Sequence, residues 1–203
     1  MMNDSKIMDL FPTPLYITNI NKPISTQQKE YLLNAPKIEN MGNLRGEDGY
    51  VLNQPMFAEL KNFIMQCIKE YVNSVYANND LDVYITQSWA NYTKPKEFHH
   101  KHSHPNSFIS GVFYVNAKLN EDMIKFYKDK PAFFDFLNGQ PNNYNSQDVV
   151  ILVETGDLVL FPSSFVHEVP PTTSEETRIS ISFNTFIRGY IGSEKASTAL
   201  YLH

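Results

Sequence analysis

Between Pro55 and Tyr76 the apolar residues Phe57, Leu60, Ile64, Cys67, Ile68, Tyr71, Val72 and Val75 recur at steps of three and four. That is the spacing of one face of an α-helix, and Pro55 stands where a helix start favours proline. The pattern predicts a helix over Pro55–Tyr76 whose apolar face packs on a sheet, with Cys67 a small apolar member of that face. A shorter helix is expected from a cap at Ser25 or Thr26 to about Asn34. Residues 11–20 are punctuated by proline and then rich in β-formers (LYITNI), which predicts one short strand at a sheet edge. Residues 35–54 carry Gly, Asn and Asp without a period and read as a long loop.

From Leu81 the pattern changes. The runs LDVYITQSWANY, SFISGVFYVN, MIKFY, VVILVE, DLVLFP and RISISFNTFI are short, β-branched or aromatic, and separated by turn residues. Period-two alternation puts Phe108, Ser110, Val112, Tyr114 and Asn116 on one face and Ile109, Phe113 and Val115 on the other. The same split places Arg178, Ser180, Ser182 and Asn184 opposite Ile179, Ile181 and Phe183. From alternation alone, the polar faces are expected to meet solvent. Residues 129–147 form a polar, Asn- and Pro-rich excursion, long enough to suggest a lid beside a site. Helices first and six or more strands after them predict a mostly β domain, an antiparallel barrel or jelly roll braced by one long and one short helix. A single domain is expected over 1–203, with a supporting strand and helices over about 1–80, a β core over about 81–187 and a tail at 188–203.

Composition narrows the function classes. The 203 residues are 42% hydrophobic and 19% charged, in the range of an ordinary globular chain with one sizeable core. A net charge of −5 without a basic run argues against binding a nucleic-acid backbone. The single cysteine excludes an internal disulfide and a thiolate metal site. The N-terminus lacks the pattern of a secretory signal, and no apolar run reaches membrane-spanning length, so the expected compartment is the cytoplasm.

Four of the six histidines lie in His99–His104, HHKHSH. If that segment is extended, His102 and His104 point to one side, and a distant imidazole such as His167 could complete one face of a metal site. Neutral imidazole suits iron, zinc, copper or nickel, and an incomplete ligand set is the arrangement of a catalytic metal.

His102-Ser103-His104, Tyr114-Val115-Asn116, Gly156 to Phe161 (GDLVLF), His167 and Arg178, eleven residues after that histidine, resemble in order and spacing the motifs of the 2-oxoglutarate- and iron-dependent dioxygenases, in the prolyl-4-hydroxylase-like branch. LFPTPLY, Trp89-Ala90-Asn91, HSHPNSFISGVFYV, LFPSSFVHEV and RISISFN are similar to one subfamily of 2-oxoglutarate/iron oxygenases. The likeness extends from about Leu10 to Phe186.

The resemblance implies a double-stranded β-helix. It also implies Fe(II), 2-oxoglutarate as cosubstrate, O₂, and hydroxylation of a prime substrate with release of succinate and CO₂. The prime substrate could be a small molecule or a protein side chain, and a homodimer stays open. Metal ligation falls to His102, His104 and His167, although the broad family has an aspartate where His104 stands. That exchange keeps a donor atom and removes one negative charge. A two-histidine site, and His99 or His100 as replacements, remain alternatives. Glu168 would point to the opposite face of its strand. Arg178 would take the distal carboxylate of 2-oxoglutarate in a two-pronged contact, aided by Tyr114 and Ser180. Tyr92 and Asn184 would also face the cosubstrate, with Ser182, Trp89 and Asn91 near the mouth. The rival from another class is a jelly roll that binds metal or ligand without oxidising anything.

Overall fold

The computed structural model describes residues 6–78, 81–129 and 139–203. Among these residues twelve strands and two α-helices follow one another as β1 (Tyr16–Asn19), α1 (Thr26–Asn34), β2 (Lys37–Glu39), β3 (Leu44–Gly46), α2 (Ala58–Tyr76), β4 (Asp82–Thr93), β5 (His99–His102), β6 (Ile109–Asn116), β7 (Met123–Tyr127), β8 (Asp148–Leu152), β9 (Asp157–Pro162), β10 (His167–Val169), β11 (Arg178–Ile191) and β12 (Leu200–Leu202).

The helices start where their sequences allow. Ser25 caps α1 through a capping box: its hydroxyl accepts from the Gln28 amide while the Gln28 side chain accepts from the Ser25 amide. Pro55 opens a 3₁₀ turn over Pro55–Phe57, and α2 runs on from Ala58. The apolar face of α2 is buried along Leu60, Ile64, Cys67, Ile68, Tyr71 and Val72.

The strands form two sheets. The larger runs β1-β9-β6-β11-β4-β3-β2, with β12 added against β11, and the smaller runs β5-β10-β7-β8. Every ladder between named strands is antiparallel. Alternation sorts the larger sheet into two faces. Ala90, Tyr92, Ile109, Phe113, Val115, Leu158, Leu160, Ile179, Ile181 and Phe183 pack with α1 and α2 in one core. Tyr114, Val159 and Phe161 turn the other way and pack with Ile124 and Phe126 of the smaller sheet. The result is three layers: helices, large sheet and small sheet. The chain is a double-stranded β-helix.

Two expectations change here. The polar faces of β6 and β11 do not meet solvent: Ser110, Ser180, Ser182 and Arg178 are buried between the sheets. Residues 35–54 are not one loop, because β2 and β3 form a hairpin beside β4, closed by a turn at Gly42 with φ +95°. Three-residue strands are too short to show a period. Of the 129–147 excursion, expected as a lid, residues 130–138 lie outside the described residues. Among the described residues no helix is long and apolar enough to cross a membrane.

Candidate metal centre

The cavity between the sheets has a floor set by register. In the β11–β4 ladder Arg178 faces Thr93, Ser180 faces Asn91 and Ser182 faces Trp89. On the other side of β11, Ser180 faces Tyr114 and Ser182 faces Val112. Trp89, Asn91, Val112, Tyr114, Arg178, Ser180 and Ser182 all line this cavity, and the opposite wall holds His99, His102, His104 and His167.

The imidazoles are brought together by strand pairing. His102 and His167 are register partners in the β5–β10 ladder, and their ring centroids lie 4.4 Å apart. His104 follows the end of β5, where its amide donates to the Ser163 carbonyl at 2.9 Å. Its ring stands 5.0 Å from that of His102 and 5.2 Å from that of His167. The ligating atoms of these three residues lie within 4.8 Å of one another.

His99, His100 and His102 form a second trio with the same closeness. Both trios need His102. Between the partners of His167 and Val169, β5 spends one residue more than β10: His167 pairs with His102 but Val169 pairs with His99. Such a bulge re-aims side chains, and it brings His99 and His102 to the same cavity despite their odd separation.

Hydrogen bonds divide the trios. Nδ1 of His102 lies 2.6 Å from the His100 carbonyl and Nδ1 of His167 lies 2.9 Å from the Phe165 carbonyl. A carbonyl can only accept, so both Nδ1 atoms carry the proton and both Nε2 lone pairs are free for a metal. Nε2 of His99, by contrast, sits 3.3 Å from the Asn40 side-chain amide, which donates to it. Within the trio of His102, His104 and His167, two Nε2 atoms are thus left free by these bonds.

Burial keeps these imidazoles neutral and ligand-ready. It lowers His102, brings His104 down to about 4 and His167 to about 3, with neighbouring rings adding to the effect in all three. Burial and the surrounding imidazoles lower His99 to about 2. Glu168 accepts from the Tyr127 hydroxyl and does not line the cavity.

Opposite the histidines lies a cation. Arg178 is 3% exposed, and its NH1 and NH2 groups donate to the Met123 carbonyl and the Thr93 hydroxyl. It makes no ion pair among the described residues, and its Nε has no partner. The Tyr114 hydroxyl is likewise buried without a partner, as is Oδ1 of Asn91. Burial lowers the Arg178 guanidinium and raises the Tyr114 phenol. A buried unpaired charge is costly. Two orphaned donors and a positive charge fit a carboxylate, and the imidazole trio fits a divalent metal, so both groups of the implied pair have matching residues.

Two expected cosubstrate contacts stand elsewhere. Tyr92 points to the helix side, where its hydroxyl donates to the Leu32 carbonyl and Lys37 lies 4.6 Å from its ring centroid. Asn184 lies beyond Ser182 on the same face of β11 but outside the cavity lining; its Oδ1 accepts from Ser110 at 3.0 Å. Thr93, Ile124 and Val169 join the site without having been singled out. For Thr93 the signal was present, since it alternates with Trp89 and Asn91.

Comparison with known proteins agrees with this geometry. Residues 87–184 match the family described as "Putative 2OG-Fe(II) oxygenase". A search of curated proteins found no match. Among solved structures, HygX from Streptomyces hygroscopicus with nickel and 2-oxoglutarate bound is similar at TM-score 0.59 and 11% identity, over 85% of this chain and 82% of that one. A prolyl-4-hydroxylase from Pseudomonas putida is similar at TM-score 0.55 and 15% identity, over 87% and 92%. A 2OG-Fe(II) oxygenase family oxidoreductase from Burkholderia pseudomallei follows at TM-score 0.54 and 12% identity, over 78% and 75%. These identities speak for the fold. The family match covers every cavity residue named above, so the segment that builds the site, residues 87–184, is the part of the chain that resembles the 2-oxoglutarate/Fe(II) oxygenases.

Proposed function

We propose that this chain is an iron(II)- and 2-oxoglutarate-dependent oxygenase whose metal face consists of His102, His104 and His167. The observation that carries the reading is Arg178: a buried guanidinium with no ion pair among the described residues, in the same cavity as three neutral imidazoles. A dicarboxylate long enough to reach from a metal to that guanidinium satisfies both at once. The nickel and 2-oxoglutarate held by the HygX structure supply a precedent for such a pair in this fold.

Iron with 2-oxoglutarate supplies oxidative decarboxylation to succinate and CO₂ and hydroxylation of a prime substrate. The protein's part is positioning. The carbonyls of His100 and Phe165 hold His102 and His167 as the tautomers that present Nε2. Arg178 and Tyr114 orient the distal carboxylate, with Ser180 between Asn91 and Tyr114 in the floor. Trp89, whose indole lies 5.9 Å from the His104 ring, Asn91 and Ser182 are the groups left for the prime substrate, a small molecule or a protein side chain. His104 donates a neutral nitrogen where the broad family has a carboxylate.

The test is anaerobic. Fe(II) and 2-oxoglutarate added to the metal-free protein should produce a weak visible charge-transfer band, absent in Arg178→Met, and oxygen should then release succinate. Absence of both the band and succinate would leave a non-oxidative metal- or ligand-binding jelly roll. Turnover with zinc or nickel and no need for 2-oxoglutarate would point to a cupin-like enzyme instead.

A further inference from the structure

The β2–β3 turn, remote in sequence from every cavity residue, is wired to both ends of the site. NH2 of Arg178 donates to Oγ1 of Thr93 at 3.1 Å, and the Asn43 side-chain amide meets the same oxygen at 3.2 Å. Oδ1 of Asn43 accepts from the Asn40 amide at 3.0 Å, and that amide also donates to Nε2 of His99 at 3.3 Å. The file therefore runs Arg178–Thr93–Asn43–Asn40–His99. Thr93 is fully buried and Asn43 is 5% exposed, so water cannot easily replace these bonds. His99 in turn stacks on His102, with ring centroids 4.6 Å apart and planes 24° apart.

The turn is built to be held still. The Asn40 amide donates to the Asn43 carbonyl at 2.9 Å, and the Gly42 carbonyl accepts from Phe98, the residue before His99, at 3.1 Å. Gly42 has a left-handed φ of +95°, and a Cβ there would come within 2.7 Å of the Phe98 carbonyl. A surface hairpin has no folding need for a buried and a half-buried amide joined end to end between a cavity cation and a cavity imidazole.

We propose that Asn40 and Asn43 are positioning residues of the site, which hold Arg178 toward its anion and couple the state of that pocket to His99 beside the imidazole trio. The proposal rests on the cosubstrate reading of Arg178 given above. Asn43 restrains Thr93, which fixes one nitrogen of the guanidinium and leaves Nε for the ligand. Asn40 commits Nε2 of His99 as an acceptor, so its proton sits on Nδ1 and the ring serves as a wall of the cavity rather than a ligand. An anion that pulls on Arg178 loads the file, and the last residue to feel it is the ring stacked on His102.

The experiment uses the full chain loaded with Zn²⁺ in place of iron, titrated with 2-oxoglutarate by calorimetry while the ¹⁵N shifts of the histidine rings are followed by NMR. Asn43→Ala is expected to weaken 2-oxoglutarate by up to about tenfold, the upper scale of one buried hydrogen bond between neutral groups, with zinc affinity unchanged within about twofold. Asn40→Ala, at a half-buried turn position, is expected to keep 2-oxoglutarate affinity and abolish the ligand-induced shift of His99. Should Asn43→Ala fail to fold, Asn40→Ala carries the test alone. Wild-type affinity in Asn43→Ala, or an unaltered His99 response in Asn40→Ala, overturns the proposal if Arg178→Met still loses 2-oxoglutarate. Unchanged binding in Arg178→Met overturns the cosubstrate reading itself.

Discussion

His102 and His167 sit directly opposite each other in the β5–β10 ladder, 65 residues apart in sequence and 4.4 Å apart between ring centroids. The pairing of two backbones, rather than any side-chain adjustment, fixes the distance between two of the three candidate ligands.

Removing any one imidazole of the trio should then cost metal binding. His102→Ala, His104→Ala and His167→Ala are each expected to weaken Fe(II) or Zn²⁺ by more than the roughly 10–100-fold that loss of an outer partner costs. His104→Asp should retain the metal, because a carboxylate at that place is the broad family's own choice. His99→Ala and His100→Ala should change affinity by only a few-fold. Isothermal titration of the six variants checks this, and strong binding by His104→Ala would remove His104 from the ligand set.

Arg178 and Tyr114 separate affinity from stability. Arg178→Met should lose 2-oxoglutarate by more than about 100-fold, yet unfold at no lower temperature, since it removes an unpaired buried charge while keeping the side-chain stem. Tyr114→Phe should weaken the cosubstrate by about tenfold and stabilise the metal-free protein by about 1 kcal/mol by removing an unsatisfied hydroxyl. Calorimetry and thermal melting report the two effects independently. A large drop in melting temperature for either variant would mean that the side chain is structural.

Acid should destabilise the metal-free protein. Unfolded histidines titrate near 6.5, whereas burial holds His104 near 4 and His167 near 3 in the folded state. Below 6.5 the unfolded chain takes up protons that the folded chain refuses. This contribution to stability is therefore complete above pH 6.5 and is lost as pH falls toward the folded values. Each such residue costs about 1.4 kcal/mol per pH unit in that window. Urea denaturation from pH 7 to 4.5 should show a falling midpoint, less steep in His104→Gln; a flat profile would contradict the burial of these rings.

Gly111 is a packing requirement. A Cβ there would run into the Phe183 ring and come within 2.7 Å of Cδ2 of Leu160, both in the helix-side core. Gly111→Ala is expected to lower unfolding stability by about 2 kcal/mol through overpacking, with metal affinity preserved. Denaturant unfolding measures it, and a neutral result would show that Phe183 can move aside.

Much of this fold was readable because one period governs each element. The three- and four-residue spacing located α2, and alternation separated Ile179, Ile181 and Phe183 from Arg178, Ser180 and Ser182. Alternation could not say that the polar side was an interior, since solvent and a polar cavity impose the same pattern on one strand. Applied to β4 it would have turned Tyr92 away from the site, because Trp89, Asn91 and Thr93 share a parity that Tyr92 lacks. The position of His99 was beyond reach: it follows from a bulge in β5 that only the pairing with β10 reveals. The contribution of Asn40 and Asn43 depends on a hairpin with three-residue strands and on the meeting of Thr93 with Arg178 across a ladder.

Among the described residues the smaller sheet ends at β5, which has β10 on one side and no strand on the other. Two of the candidate ligands straddle that last ladder, and the third continues from the free end of the edge strand. A metal bound there is a rivet through the outermost seam of the barrel. Its loss frees the seam as well as the chemistry, so slow amide exchange along β5 should be a property of the loaded protein.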